Sequence, residues 1–324
     1  MTATLAPDQL RHVVEAAALA PSVHNTQPWR FVAKPAVLEL YADPDRRLAV
    51  LDPDGRQLHL SCGAALFHAR IAARALGLDA VVRLLPDPQA PLHLADVSLM
   101  PGEPPTEAEV RLATAILHRH THRGPFEDRA VPESFMDLLR IVAETEGARL
   151  RRVTDEAELI ELEVLLARAD ALEEHDDNYR GELRRWVYDG DIRPDGIPVA
   201  GLDSAPGSSL RQRSFGSAQP AVSGADAPAA DRPQVAVLAT DSDDTESWLR
   251  GGQALASVLL HAADHGIQAQ PLGQVTDILA YRLGLRSALG IVGVPQLVLR
   301  MGYASRAALT PRRPVEDVLS HVAD

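Results

Sequence analysis

Pro21-Ser22-Val23-His24-Asn25-Thr26-Gln27-Pro28-Trp29-Arg30-Phe31 is the stretch whose reading decides the fold. Upstream of it, Leu10, Val13, Val14 and Ala17 share one face of a helix that Asp8 can start and Pro21 ends. Downstream, Trp29 to Val32 and Val37 to Tyr41 read as two strands joined around Lys34-Pro35-Ala36. Between these elements Ser22, Asn25 and Gln27 offer one hydroxyl and two amides beside backbone N–H donors, a spacing that suits a ligand rich in acceptors. A helix stop followed by an ordinary polar turn gives the same local pattern. The rest of the chain has to decide between the two.

Outward from this stretch, Gln57 to Leu76 predicts a long helix with Leu60, Ala64, Phe67, Ile71 and Ala75 on one stripe and small residues elsewhere, ended by Gly77. Strands are expected at Ala80 to Leu85 and Leu94 to Met100, and Pro101-Gly102-Glu103-Pro104-Pro105 marks a linker. Beyond it the segment Trp248 to Gln270 repeats Leu58 to Ala80: Gly252 answers Gly63 and Gly266 answers Gly77, and 252−63 and 266−77 both give 189. The repeat predicts two related halves, residues 1–105 and 106–324, whose central helices pack about a pseudo-twofold axis. In the second half, Glu158 to Arg168 reads as helix, and Val235 to Ala239 and Gln296 to Met301 as strands. An insert at about 186–232 contains a stretch from Gly190 to Asp231, rich in Pro, Gly, Ser and Ala, without periodicity. Its composition allows either an ordered lid or an unstructured linker.

Pro21 to Phe31 closely resembles the signature that follows the first long helix in the FMN-dependent nitroreductase family. Three further motifs resemble that family in the same order. Arg119-His120-Thr121-His122-Arg123 is similar to its phosphate motif, although a solvated basic turn reads alike. Gln270-Pro271-Leu272-Gly273-Gln274 is similar to the turn that brings backbone N–H groups to the flavin ring, where glycine permits close approach. Arg300-Met301-Gly302-Tyr303 with Thr310-Pro311-Arg312-Arg313-Pro314 is similar to the C-terminal strand and basic element that close over the phosphate.

The resemblance implies an α+β, nitroreductase-like fold of two fused homologous halves forming an intramolecular pseudo-dimer, as in the tandem Acg-like branch, which Asp195-Gly196-Ile197-Pro198 also resembles. It implies one FMN per chain, held by Ser22, Val23, Asn25 and Gln27 from the first half and by Arg119, Thr121, Arg123, Leu272, Gly273, Arg312 and Arg313 from the second. The counterpart of the cradle, around Gly147-Ala148-Arg149-Leu150, has lost the polar residues of the signature. The activity implied is that of an oxidoreductase passing electrons from NAD(P)H through flavin N5 to a small nitro or quinone acceptor, with no catalytic side chain because the flavin carries the chemistry. The alternative is a protein that stores or sequesters FMN beneath a lid. Family members often use lysine near the flavin, and here Lys34 is the only lysine and lies in the predicted hairpin.

Composition limits the other classes. A net charge of -13 repels nucleic acid and anionic membranes, so an anionic cofactor needs a local arginine cluster. Cys62, the only cysteine, excludes an intramolecular disulfide and fits a reducing cytoplasm. No apolar run is long enough to span a bilayer, and a soluble, cytoplasmic pseudo-dimeric monomer is expected. His118, His120 and His122, and the pair His261 and His265, lack carboxylates at motif spacing, so no metal is expected. Dinucleotide-fold, phosphate-loop and hydrolase signatures are absent from the sequence.

Overall fold

Apolar strands, alternating in burial in the first half and buried on both faces in the second, build two sheets of the same design. In the computed structural model, which describes residues 7–190, 192–199, 210, 213, 215, 233–305 and 310–321, the first half runs α1 (Pro7–Ala18), β1 (Trp29–Ala33), β2 (Val37–Ala42), α2 (Arg56–Ala75), β3 (Leu78–Leu84) and β4 (His93–Pro101), and α3 (Glu107–Ile116), which follows the expected division at residue 105, packs into the core of that half through Leu112, Ala115 and Ile116. The second half runs α4 (Glu133–Thr145), β5 (Arg149–Val153), α5 (Glu156–His175), α6 (Asp177–Trp186), β6 (Val187–Tyr188), β7 (Ile197–Pro198), β8 (Gln234–Thr240) and α7 (Thr245–Asp264). It continues through β9 (Ile267–Leu272), α8 (Gln274–Asp277), α9 (Leu279–Ala288), β10 (Val294–Tyr303) and β11 (Leu319–His321).

The order β1-β2-β4-β3 in one sheet is repeated as β5-β8-β10-β9 in the other, with every neighbouring pair antiparallel. At the centre α2 lies against α7. An added Cβ on Gly63 would collide with Leu249 O and stand 3.0 Å from the Cα of Gly252, and one on Gly252 would collide with Leu60 O. Backbones this close require glycine at both positions. Gly77 and Gly266, which stop the two helices, have the same left-handed φ of +72°. The repeat expected from the 189-residue offset is thus present in helix packing, helix stops and strand order.

The halves differ where function would be placed. Between helix and first strand the first half has the ten residues 19–28, whereas the second has only the three residues 146–148. The second cradle has been deleted as a loop, and its counterpart residues Arg149 and Leu150 lie in β5. Where the first half has the hairpin 34–36, the second carries 154–233, so the insertion is longer than the expected 186–232 and starts with the ordered helices α5 and α6. The question of lid or linker for 200–232 falls outside the described residues except at Leu210, Arg213 and Phe215.

α5 and α9 cover the outer face of the second sheet, burying Val235, Val237, Leu272 and Val298 with Leu162, Leu166 and Leu285. α6 reaches the first half, where Tyr179 and Leu183 pack on Leu48 and Leu51, and the Glu182 carboxylate accepts from Val50 N and Leu51 N at 3.0 and 2.9 Å. The C-terminal β11 also crosses over, joining the first sheet parallel to β1 with Phe31 opposite Leu319. Among the described residues no helix is long and apolar enough to cross a membrane.

Candidate functional site

Residues 19–28 are wound tightly enough to bring backbone and side-chain donors to one wall. His24, Asn25 and Gln27 have φ of +46°, +55° and +50°, a region that disfavours residues with a Cβ by about 1–3 kcal/mol each and persists only where the surroundings enforce it. Here they do. Gln27 N donates to Ser22 Oγ at 2.9 Å, and Val23 N donates to Ser61 Oγ on α2 at 3.2 Å. Asn25 Nδ2 donates to Gly196 O and Pro311 O at 3.0 Å each. Gln27 Nε2 donates to Pro194 O and its Oε1 accepts from Arg313 N, both at 2.9 Å. The two amides therefore join the cradle to the insert and to the C-terminal segment.

A cavity of about 330 Å³ opens beside this loop, walled by Pro21 to Asn25, the start of α2, residues 119–123, the end of β9 and the segment around Thr310 and Arg312. Residues 119–123 are laid along β9, where Thr121 bridges Ala269 in parallel and His122 N donates to Ala269 O at 3.0 Å. Buried Arg300 fixes the end of that segment, its Nη2 donating to Gly124 O at 3.0 Å and its Nη1 to Gln270 Oε1 at 3.2 Å.

One end of the cavity is strongly cationic. The Arg119 guanidinium is buried and donates to Leu19 O at 3.3 Å, while Arg312 donates to Thr310 O, Pro311 O, Leu19 O and Ala20 O. Among the described residues neither has a carboxylate within ion-pairing distance, and Nε of each is buried without a partner. Burial, helped by the charge of Arg312, brings Arg119 down to about 9, and burial brings Arg312 down to about 10. Beneath them His68 is driven down to about 3 by burial and by the charge of Arg119. Two guanidiniums paired only with carbonyl dipoles make a receptor for a dianion.

The other end holds a compensated network. Asp277, at the end of α8, accepts from Arg56 Nη2 at 2.6 Å, Gln57 Nε2 at 2.5 Å and Arg213 Nη2 at 2.5 Å. Arg213 also pairs with Glu173 at 3.1 Å and meets His24 Nε2 at 3.0 Å. Burial pushes Glu173 up to about 7 although Arg213 opposes the shift. His24 is held well below the ordinary histidine range by burial and by the charges of Arg213 and Arg123, so it is neutral.

Residues 1–50 match the Nitroreductase family model. The protein named "Putative NAD(P)H nitroreductase Rv3131" of Mycobacterium tuberculosis strain H37Rv is 36% identical over 323 residues, covering 96% of this chain and 91% of the relative. "Putative NAD(P)H nitroreductase acg" of the same organism is 34% identical over 318 residues, covering 96% of this chain and 95% of the relative. The chain belongs to the nitroreductase family. A solved nitroreductase with bound FMN from Desulfitobacterium hafniense DCB-2 is 15% identical with a TM-score of 0.42, covering 66% of this chain and 98% of that one.

Of the residues that the nitroreductase motifs pick out, Ser22, Val23, Asn25, Arg119, Thr121, Arg123, Leu272, Gly273 and Arg312 line the one cavity. Gln27 and Arg313 do not. Gln27 is fully buried behind the cradle, and Arg313 donates to Gln27 O at 3.3 Å and Asp317 O at 2.7 Å, so both hold the wall from outside. The segment 270–274, expected as a turn, is the last part of β9 followed by one turn of helix. At Gly273 the reason for glycine is space, since an added Cβ would stand 2.9 Å from Asp277 Oδ2 and 3.1 Å from Gln57 Nε2. His24, inside the first motif but given no role there, also lines the cavity wall, and Gln57, Ser61, Arg213 and Asp277 on that wall lie outside the nitroreductase motifs. Gln57 and Ser61 carry a usable signal, being uncharged hydrogen-bonding residues one helical turn apart near the start of α2. Arg213, within an aperiodic stretch, carries none.

Proposed function

We propose that the chain binds one FMN in this cavity and is an FMN-dependent NAD(P)H oxidoreductase acting on small nitro or quinone-type acceptors. The observation that carries the reading is the pair of buried guanidiniums, Arg119 and Arg312, which lack an acid partner among the described residues and face a cavity also lined by Thr121. A phosphate monoester dianion satisfies that electrostatic demand, and the cavity's size falls in the range of cofactor pockets. The relatives' names point the same way.

Bound FMN would supply reversible two-electron chemistry. The chain's own residues would do the rest: Arg119 and Arg312 would hold the phosphate, Ser22 to Asn25 and Gly273 to Gln274 would offer polar and backbone groups to the remainder of the cofactor, and His24 adds no charge of its own to the wall. With Lys34 in an ion pair with Glu39 on the first sheet at 2.5 Å, charge stabilisation of a reduced ring falls to arginine and backbone N–H groups. A second reading, FMN retention without turnover, is favoured by the insert, because Ile197, Pro198, Arg213 and Phe215 line the same cavity.

Flavin-free protein reconstituted with FMN and mixed anaerobically with NADPH or NADH separates the two. Bleaching of the visible flavin band within seconds supports turnover. Photoreduction without nicotinamide bleaching supports retention, and failure to take up FMN refutes both.

A further inference from the structure

The outer face of the first sheet carries a second group of chemistry-bearing side chains. On β2, Glu39 alternates with Leu38 and Leu40, which lie in the core with α1 and α2, so Glu39 points to the opposite face. Asp96 is its direct partner on β4. His93, three residues from Asp96, would face the core in an undistorted strand. The register instead shifts between Leu40↔Ala95 and Tyr41↔His93, leaving Leu94 as the extra residue. That bulge turns His93 onto the face of Glu39 and Asp96, the re-aiming for which β-bulges near functional sites are used.

We propose that Glu39, His93 and Asp96 bind one divalent first-row transition-metal ion of the zinc and cobalt type. Their ligand atoms lie within 4.8 Å of one another, with His93 Nε2 3.9 Å from Glu39 Oε1 and 2.8 Å from Asp96 Oδ1; donors about 2.1 Å from a tetrahedral ion stand about 3.4 Å apart, so the first pair must close and the second open by about half an ångström each. His93 Nε2 and Asp96 Oδ1 are 2.8 Å apart yet not aligned as a hydrogen bond, and each is otherwise buried without a partner. Two electron-pair donors directed at the same space are what a cation requires. The His93 and Glu39 side chains are only 10% and 8% exposed, so the donors are partly desolvated in advance.

The outer contacts orient the donors. Arg83 donates to Asp96 Oδ2 at 2.8 Å, leaving Oδ1 for the ion, and Tyr41 donates to Glu39 Oε2 at 3.2 Å, leaving Oε1. The Tyr41 ring stacks on His93 with centroids 4.4 Å apart and 14° between planes. Lys34 Nζ sits 2.5 Å from Glu39 Oε1. Its half-exposed side chain can withdraw into solvent, so the ammonium is the cation that the metal displaces. One nitrogen and two oxygen donors fit zinc, cobalt or nickel, with water completing the coordination.

The full chain, freed of metal with chelator and titrated with Co²⁺, should bind one ion per chain with visible d–d absorption that Zn²⁺ abolishes. Asp96→Asn and His93→Ala should each weaken binding at least 10-fold, with far-UV circular dichroism confirming the fold. Lys34→Met should tighten Co²⁺ binding several-fold because it removes the competing cation. No saturable binding, or binding unchanged in both ligand variants because Co²⁺ sits on His118 or on His261 with His265, overturns the proposal. Unchanged or weaker Co²⁺ binding by Lys34→Met, the result of a plain ion-pair cluster, also overturns it.

Discussion

Replacing Arg119 by methionine should move stability and cofactor affinity in opposite directions. In the flavin-free protein, burial and the charge of Arg312 hold Arg119 at about 9 against its ordinary 12.5. At 1.36 kcal/mol per pH unit this difference places about 5 kcal/mol against the charged form at neutral pH. Methionine retains most of the buried stem but forfeits the bond to Leu19 O, worth about 1–2 kcal/mol. A net gain of about 3–4 kcal/mol in the flavin-free protein follows, a rise of several degrees in the melting midpoint for a chain of this size. The same change removes a charge-assisted phosphate contact of about 1.5–3 kcal/mol, weakening FMN binding about 10- to 150-fold. The pH dependence has a definite sign: because the folded-state value is lowered, the wild-type flavin-free protein gains stability as pH rises from about 9 towards 12.5, and the variant lacks that gain. Differential scanning calorimetry of flavin-free protein and quenching of FMN fluorescence measure the two effects. A lower melting midpoint for Arg119→Met, or an unchanged FMN dissociation constant, would refute the reasoning.

Asn25→Ala removes the donors to Gly196 O and Pro311 O and should lower the FMN content of purified protein while costing about 1–3 kcal/mol in urea unfolding. Gly252→Val drives a side chain into Leu60 O at the α2–α7 contact; a loss of about 3 kcal/mol or more, with loss of flavin, is expected, and wild-type stability would contradict the close packing. Asp52 accepts from Gln57 N and Leu58 N at 2.9 Å at the start of α2, and burial pushes it up to about 6 against an ordinary 3.8. Its raised value makes wild-type stability fall as pH rises from about 4 to 6, by up to about 3 kcal/mol. In Asp52→Asn that slope should vanish from urea midpoints taken across this range.

The duplicated frame was legible because it is written in residues that cannot be exchanged. Gly63 and Gly252 allow two backbones to touch, Gly77 and Gly266 take a left-handed φ, alternation marks β1, and continuous apolar stretches mark β8 and β10. The cationic end of the cavity was legible as Arg119 and Arg312, since two arginine motifs each carry a hydroxyl close by, at Thr121 and Thr310. Gln27 and Arg313 were assigned to the ligand because sequence shows which groups can donate but not where their bonds go, and theirs go to each other and to Pro194 and Asp317. Arg213 and Asp277 meet across 64 residues, and β11 pairs with β1 from the far end of the chain. Neither contact leaves a local pattern, because a single partner at long range imposes no periodicity on its neighbours.

The crossing of β11 onto the first sheet bears on how the protein is made. Synthesis proceeds from the N-terminus, so β1 and the cradle emerge from the ribosome long before the strand and the arginine segment that complete them. The nascent first half must wait with one edge of its sheet open and Asn25 lacking its bond to Pro311. A copy whose translation stops short of Pro311 lacks Arg312 and cannot assemble the cationic end of the cavity, however well its two sheets form. Under the phosphate role proposed for Arg312, such a truncated copy should purify without FMN.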